Sequence, residues 1–336
     1  MRNDTRQIFN AFLQRQAELN GIADPTKKFA VTTPVEQTLE SKIQDSSEFL
    51  SRINIVGVNE QQGEKLGLGV GSSIASTTDT DAQDRATQDP TNMDGVGYLC
   101  TQTNFDTHIG YSKMDMWAGF PDFQTRWRDA VLKRIAIDRQ MIGWNGTSRA
   151  ATSDRVANPL LQDVNIGWLQ KMRDNAPARV LTEVVAASGQ VTIGGAGDYK
   201  NLDQLVFDVI NNLVDPWYRK DNELVVILGD ELLADKYFPI IGTHAETPTE
   251  NRALDMMISN VRVGGKQAVT VPNFPGNSLA VTRLDNLSIY YQKGSRRRTI
   301  TENAKRDRVE DYQSVNEAYV VEDHGGMCAV ENIVLL

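Results

Sequence analysis

The chain has 336 residues, of which 40% are hydrophobic and 24% are charged, values typical of a folded protein rather than a disordered one. Its formal net charge of −9 argues against a generally basic nucleic-acid-binding surface, although a protein that only encloses nucleic acid does not need one. The longest strongly apolar run, Leu224 to Leu228, is too short to cross a membrane, and the N-terminus lacks the apolar stretch of a secretion signal.

Two amphipathic helices are predicted at the N-terminus. Apolar side chains share one helical stripe over residues 4–19, and Asn20-Gly21 provides a stop signal. After a polar break a second helix starts at Thr33, whose side chain is expected to cap free backbone N–H groups while Glu36 reaches back to the cap. The apolar face of this second helix continues to Leu50. The first fifty residues show little sign of a core of their own.

A long two-stranded arm is predicted between about Gly57 and Gly119. Leu66, Leu68 and Val70 alternate with glycines, and the middle of the segment is polar and rich in turn-forming residues. A period of two indicates strands, yet an isolated hairpin is only marginally stable in water. The arm therefore needs something to lie on, and a neighbouring subunit is the natural candidate. We expect the leucine and valine face to pack there, while the bare glycine face lets another backbone come close.

A long helix is predicted after the arm. It opens at Phe120-Pro121-Asp122, carries apolar residues at near-helical spacing as far as Met141, and ends at Asn145-Gly146. About 23 residues at 1.5 Å each span roughly 35 Å, enough for the spine of an elongated domain.

The remaining chain mixes helices and strands. A helix is predicted from Leu202 to Leu213, followed by a buried strand at Leu224 to Leu228 and a helical segment at 231–238. Strand patterns then dominate, at Ala268 to Val271, Leu279 to Thr282, Leu287 to Tyr291, Arg297 to Thr301, Val309 to Val321 and Met327 to Val334. Helices and strands do not alternate regularly, so the predicted class is α+β.

No catalytic, cofactor-binding or metal site is predicted. His108, His244 and His324 are scattered singly, whereas a structural zinc site needs four clustered nitrogen or sulfur ligands. The two cysteines, Cys100 and Cys328, cannot make a disulfide framework and are interpreted as buried free thiols in a reducing compartment.

The glycine-rich and acidic segments also lack the residue spacing of known ligand-binding motifs. GLGVG, VGGK and GGAG each lack the spacing of a phosphate-binding or dinucleotide-binding loop and are interpreted as turns or close backbone approaches. Asp79, Asp81 and Asp84 lack the central glycine and terminal glutamate of a calcium loop, which favours a solvated loop.

The densest positive patch lies near the C-terminus, where acidic residues are interspersed with the basic ones. Its members are Arg296, Arg297, Arg298, Lys305, Arg306 and Arg308. Contact between subunits, a solvated face and contact with nucleic acid all remain open. Closely mixed signs favour the first two over the third.

An acidic chain with docking helices, a projecting arm and a spine helix, but no enzyme site, is typical of an assembly subunit. Along essentially its whole length the chain resembles the major capsid proteins of the peduovirus group of contractile-tailed bacteriophages. The segments that carry the resemblance are TRQIFNAFLQRQAELNGI, FLSRINIVGV, GEKLGLGVGSSIASTTDT, TSDRVANPLLQDVNIGWLQKMRDNAPARV, DPWYRKDNELVVILGDELLADKYFP, LDNLSIYY and TITENAKRDRVEDYQSVNEAYVVED.

The resemblance implies an α+β subunit of the Hong Kong 97-type capsid fold, which assembles as hexamers and pentamers into an icosahedral shell around double-stranded DNA. It implies an N-terminal helical arm at 1–54, an extended loop at 55–118, a peripheral domain with the spine helix at 119–154 and 286–320, and an axial domain at 155–285 and 321–336. The nine candidate contacts between subunits are Leu66, Leu68, Val70 and the six basic residues of the positive patch.

The same resemblance implies partners and locations. The expected partners are a scaffolding protein, a capsid protease that trims the chain near residue 30, a portal protein and packaged DNA that is bound without sequence specificity; no membrane and no cofactor is expected. The protein is expected in the virion, and in the host cytoplasm during assembly. Two alternatives remain at this point: a ring- or tube-forming virion protein, and an α/β ligand-binding enzyme built on Leu224 to Asp230.

Overall fold

The computed structural model describes residues 1–65, 69–70, 75–87, 91–92, 96–117, 120, 123–229, 231–233 and 262–336. The helices in these ranges are α1 (Asn3–Asn20), α2 (Thr33–Asp45), α3 (Glu48–Arg52), α4 (Tyr111–Trp117), α5 (Phe123–Asn145), α6 (Trp168–Asn175) and α7 (Leu202–Leu213). None of them combines the length and the apolar character that crossing a bilayer requires.

The strands of the described ranges follow in chain order. They are β1 (Phe29–Ala30), β2 (Asn54–Val58), β3 (Gln62–Glu64), β4 (Gly69–Val70), β5 (Thr91–Asn92), β6 (Gly97–Leu99), β7 (Thr101–Asn104), β8 (Thr107–Gly110), β9 (Val180–Leu181), β10 (Val191–Ile193), β11 (Val225–Leu228), β12 (Arg262–Val263), β13 (Lys266–Thr270), β14 (Leu279–Thr282), β15 (Leu287–Gln292), β16 (Arg297–Asn303), β17 (Arg308–Val321), β18 (Cys328–Val330) and β19 (Ile333–Leu335).

Two mixed sheets organise the subunit. The larger sheet runs β1-β16-β17-β15-β2, and β7 and β8 also pair with the 14-residue strand β17. The smaller sheet runs β12-β13-β11-β14-β18-β9, with parallel and antiparallel neighbours. Helices lie beside both sheets rather than alternating with parallel strands, which confirms the predicted α+β class.

One hydrophobic core joins the two sheets. It contains buried residues of α2, α3, α5 and α6 together with residues of both sheets, and Trp144 and Trp168 meet edge to face there at 5.0 Å between ring centroids. A second core lies between α7 and the smaller sheet, around Leu205, Val226 and Val281. The shared core makes the two sheets one packed unit.

The predicted spine helix is α5, whose observed 23 residues match the predicted length. Its N-terminal half is largely exposed, whereas Leu132 and the residues from Ile135 onwards are mostly buried. Its end packs closely on the start of α6, because a Cβ atom on Gly167 would overlap the carbonyl oxygen of Gly143. Glycine at 167 is thus required by a close approach of two backbones.

The N-terminal region differs from the sequence prediction in two respects. Ile43 and Leu50 are fully buried in the shared core, so α2 and α3 are part of the body, and Leu50 belongs to a separate short helix. Thr33 is not the helix cap, since Thr32 precedes the first helical residue and makes no side-chain cap bond. The Glu36 carboxylate instead accepts a hydrogen bond from the backbone N–H of Gly294, at 2.8 Å.

Most of the later strands lie where the alternation predicted them, with small changes at their ends. The predicted segment 327–334 is two strands, β18 and β19, which belong to different sheets. Gly264 and Gly265 both have positive φ and form the tight turn between β12 and β13, as the turn interpretation of VGGK predicts. The predicted helical segment 231–238 lies mostly outside the described residues.

Candidate assembly surfaces

The arm is two-stranded where the structure describes it. β3 pairs antiparallel with β6, and farther out β4 pairs antiparallel with β5. The arm is shorter than the predicted stretch, because β2 at one end and β7 and β8 at the other belong to the larger sheet. The described residues 75–87 between the two halves of the arm are almost all exposed. In β3 and β6, the strands of the arm whose side chains the structure describes, Tyr98 is the one buried side chain.

The root of the arm is fixed to the outer face of the larger sheet. The backbone N–H of Cys100 donates to the carbonyl oxygen of Gln61 at 2.8 Å, and the Gln61 side-chain amide donates back to the Cys100 carbonyl at 3.1 Å. The Tyr98 ring meets that of Tyr290 edge to face at 5.0 Å. Cys100 and Tyr98 are buried there against Ala318 and other residues of the sheet.

A lysine forms a further contact between arm and body. Lys65 follows β3 and is only 4% exposed. Its ammonium group donates to the carbonyl oxygens of Val321 at 2.9 Å and Glu322 at 3.1 Å, and it lies 3.2 Å from Nδ1 of His324. Sequence reasoning missed this residue, since a single lysine in a glycine-rich segment gives no signal of burial.

The described residues do not test the predicted apolar face of the arm. Leu66 and Leu68 lie outside the described residues. Val70 lies in β4 opposite Thr91, and only its backbone is described. The expectation that these three side chains contact a neighbouring subunit stays a prediction.

The positive patch divides into an interior part and a surface part. Arg296 is 1% exposed and binds the Glu40 carboxylate inside the subunit, which corrects its predicted role as a contact to a neighbour. Arg298 of β16 makes a two-pronged ion pair with Asp311 of β17, at 2.9 and 2.8 Å, and so links the two strands. Arg308 pairs with the Glu310 carboxylate two residues along β17.

The remaining basic residues of the patch are nearer to solvent. Arg297 is half-buried and donates to the backbone carbonyl of Gly294. Lys305 and Arg306 are exposed on the turn between β16 and β17, where Asp307 has a left-handed backbone conformation. Of the six residues, Lys305 and Arg306 are therefore the ones that the fold presents most openly to another molecule.

Four buried charges join distant parts of the body. Arg139 of α5 lies between Glu40 of α2 and Glu317 of β17, with Nη1 2.7 Å from Glu40 and Nε 2.9 Å from Glu317. Arg296 adds a second guanidinium to Glu40. The two positive and two negative charges cancel, which is what burial of ions requires.

The pKa values of the two carboxylates in this cluster are shifted in opposite directions. Burial alone would raise the pKa of Glu40, but the charges of Arg139 and Arg296 outweigh burial and lower that pKa to about 2. Glu317 pairs with Arg139, and Oε2 of Glu317 has no hydrogen-bond partner within the described residues. Burial therefore dominates at Glu317 and raises its pKa.

The first helix is attached to the body from outside. Phe9 packs on Ile109, Met114 and Ile300 at the far end of the larger sheet. Arg6 and the Tyr111 hydroxyl both bind the Glu302 carboxylate, and these hydrogen bonds lower the pKa of Glu302. These contacts hold α1 through one small apolar patch and a few partly exposed polar groups.

An exposed apolar patch lies where α4 leads into the spine helix. Met116 is 70% exposed and Phe120 is 59% exposed, and the rings of Trp117 and Phe120 lie 5.7 Å apart. Clustered exposed aromatic side chains are typical of protein–protein contact sites.

The described part of the chain presents neither a cluster of metal ligands nor an exposed cysteine. In the part of the chain that the structure describes, no three histidine, cysteine, aspartate or glutamate side chains converge as metal ligands would. Cys100 and Cys328 are free and buried, and burial raises the pKa of both thiols to about 12, so they stay protonated at neutral pH. His108 lies on β8, and His244 falls outside the described residues.

Comparisons with known proteins agree on one family. The family model described as "Phage major capsid protein, P2 family" matches residues 8–333. The chain is 52% identical to a protein named "Capsid proteins" of Escherichia phage P2, over 99% of this chain and 95% of that protein. It is 40% identical to the major capsid protein of Serratia phage KSP20, over 99% and 97% of the two chains.

A solved structure supports the same comparison. The subunit is similar to a chain of the satellite phage P4 procapsid that includes the size determination (Sid) protein, with a TM-score of 0.84 and 48% identity. The match covers 100% of this chain and 99% of that chain.

Proposed function

Because this chain belongs to the P2 family of phage major capsid proteins, we propose that its arm is the part of the subunit that ties each copy to the next. The protein is a structural component of the virion with the Hong Kong 97-type fold, and it assembles into an icosahedral capsid. It is not an enzyme, and family membership sets aside both the ligand-binding and the tube-forming alternatives.

The observation that carries the proposed role of the arm is that its described residues beyond the root form no core of their own. Its strands pair in short ladders, and residues 75–87 beyond them are almost entirely exposed. A two-stranded hairpin in water is marginal, so a platform on another subunit would supply the missing apolar contacts. Leu66, Leu68 and Val70 are the side chains proposed to make them.

The two sheets support an assignment of two domains within the subunit. We propose that the larger sheet with α5 forms the peripheral domain and that the smaller sheet with α7 forms the axial domain near the centre of hexamers and pentamers. Lys305 and Arg306, exposed on the turn after β16, are proposed to meet neighbours at the corners of these capsomers. Mixed charges around this turn suit a polar contact rim.

The N-terminus is proposed to interact with a scaffolding protein and to be trimmed near residue 30 by a capsid protease. The structure is compatible with such a cut, since α1 is held on the surface whereas α2 lies in the shared core. Lys27 and Lys28 before β1 are exposed, so a protease could reach this segment. A portal protein and packaged double-stranded DNA are the other proposed partners, and assembly is proposed to take place in the host cytoplasm.

The role of the arm is tested by replacing residues 66–95 with a short Asn-Gly turn, which leaves β3 and β6 able to pair. We expect a folded subunit with unchanged far-UV circular dichroism that forms no closed shells in electron micrographs. A matched control shortens the exposed 182–189 segment near β9, which should leave assembly intact. Normal shells from the arm-less subunit would refute the proposal.

A further inference from the structure

We propose that Lys65 is a positioning residue for capsid assembly, which fixes the direction in which the arm leaves the subunit. This inference rests on the proposed role of the arm and adds which residue fixes the direction of the arm.

The first support is the environment of the Lys65 ammonium group. It is buried at 4% exposure, and the acceptors around it include the backbone carbonyls of Val321 and Glu322 and a ring nitrogen of His324. A buried ammonium is costly unless its N–H groups are paired. Any rotation of the arm that moves the ammonium group away from these acceptors would remove hydrogen bonds from a buried charge. The position of Lys65 is therefore tightly determined.

The second support is where the acceptors lie. Val321 is the last residue of β17, the central strand of the larger sheet. The turn at His324–Gly326 follows and leads directly into β18 of the smaller sheet. Lys65 thus contacts the body where the chain passes from the larger sheet to the smaller one. A contact at this point sets the position of the arm relative to both sheets.

The third support is that the ladder of the arm is weak by itself. β3 and β6 share only three residue pairs, and an isolated two-stranded hairpin is only marginally stable in water. Near the start of the ladder, Tyr98 and Cys100 are held on the larger sheet by Ala318 and Tyr290, whereas Lys65 fixes the chain beyond the far end of the ladder. Attachment to the body at two separated points fixes the direction of the arm. Attachment at one point would let the arm rotate about that point.

Close packing at the root is consistent with a fixed direction. A Cβ on Gly63 would come 2.9 Å from the Tyr98 hydroxyl oxygen, and one on Gly97 would come 2.8 Å from the Gly63 carbonyl oxygen. Both distances are shorter than van der Waals contact, so the two glycines let the strands and the Tyr98 ring lie close together.

The test is a graded series, Lys65→Arg, Lys65→Gln and Lys65→Met, in the full-length chain. Spin labels on Thr80→Cys at the arm tip and Asp174→Cys on α6 report the distance from arm to body in the unassembled subunit by pulsed electron paramagnetic resonance. Circular dichroism and thermal melting report folding, and electron microscopy reports closed shells. Lys42→Met, which removes an exposed lysine from α2, is the matched control.

The expected result is a distance distribution that stays narrow in Lys65→Arg and the control but broadens from Lys65→Gln to Lys65→Met. Closed shells should be lost in parallel, although the subunits remain folded. If Lys65→Met does not fold, Lys65→Gln decides, since it retains a polar side chain that can still donate to one carbonyl.

Two results would overturn the proposal. A narrow distribution in the folded Gln or Met variant would show that the arm is aimed without Lys65, even if assembly failed for another reason. A broad distribution with normal shells would show that the direction of the arm does not matter for assembly. Neither result affects the test of the arm itself, in which residues 66–95 are replaced, so failure of the two ideas can be told apart.

Discussion

The body and the arm of this subunit are stabilised by different means. The body has two hydrophobic cores and a neutral cluster of four buried charges. The arm has short backbone ladders and a root fixed by Tyr98, Cys100 and Lys65. A folded subunit therefore needs the body, whereas the arm is proposed to be covered by another copy of the chain. Substitutions in the body should change stability, and substitutions in the arm should change assembly.

The largest effect on stability is expected from Arg139→Met. It leaves Glu40 and Glu317 buried with one counter-charge fewer, and breaking a buried ion pair on one side costs about 3–5 kcal/mol. Urea unfolding of the unassembled subunit measures the change. Arg128→Met on the exposed half of the same helix is the control and should cost less than about 1 kcal/mol. Similar values for both variants would contradict the assigned importance of the buried cluster.

An acid titration should single out Glu40. Its folded pKa of about 2 lies below the ordinary 4.5, so ionised Glu40 stabilises the fold above pH 4.5, and this contribution disappears as the pH falls towards 2. The gap corresponds to on the order of 3 kcal/mol. Glu317 acts in the opposite sense, because its raised pKa favours the folded state as the pH falls. The net loss of folding stability on acidification is therefore smaller than the loss that Glu40 alone would cause.

The measurement is the free energy of unfolding from pH 7 to pH 2.5 in wild type and Glu40→Gln. The variant should be less stable at pH 7 and should lose less stability between pH 4.5 and 2.5. Glu18→Gln, an exposed change on α1, should follow the wild-type curve. Parallel curves for wild type and Glu40→Gln would mean that Glu40 does not carry the acid dependence.

A smaller loss is expected from Gly167→Ala. The added methyl group would overlap the carbonyl oxygen of Gly143, and forcing extra atoms into a packed core costs about 1–3 kcal/mol. Thermal melting detects this change. Gly195→Ala, where no atom lies within 4 Å of the added carbon, is the control and should be close to wild type. An unchanged melting temperature for Gly167→Ala would show that the two helices can separate at no cost.

The smallest effect on stability is expected in the arm. The double variant Asp79→Asn, Asp81→Asn alters exposed residues, and an asparagine side chain at position 79 could still accept the hydrogen bond from the backbone N–H of residue 81. The free energy of unfolding should stay within about 0.5 kcal/mol of wild type. A larger change, measured by the same urea titration, would mean that the arm contributes to the stability of the isolated body and would break the contrast between the two regions.

Local patterns in the sequence predicted most of the secondary structure and the existence of the arm. The spine helix follows from apolar spacing of three and four residues, and the arm follows from alternation over glycines with little else to bury. Both signals lie within short stretches of chain. The family resemblance, carried by long ordered segments, predicted the capsid fold, which the comparisons confirm.

What the sequence could not determine are contacts between residues that are far apart in the chain. Arg296 looked like its exposed neighbours in a basic run, but Glu40, 256 positions away, draws it into the interior. Lys65 binds carbonyls 256 and 257 positions away, and α2 joins a core built largely from later residues. Periodicity by itself determined which residues form helices, strands and an arm, because those preferences are local. Only the tertiary structure decided which charges are buried and where the arm is attached, because burial and pairing depend on the partners that folding brings together.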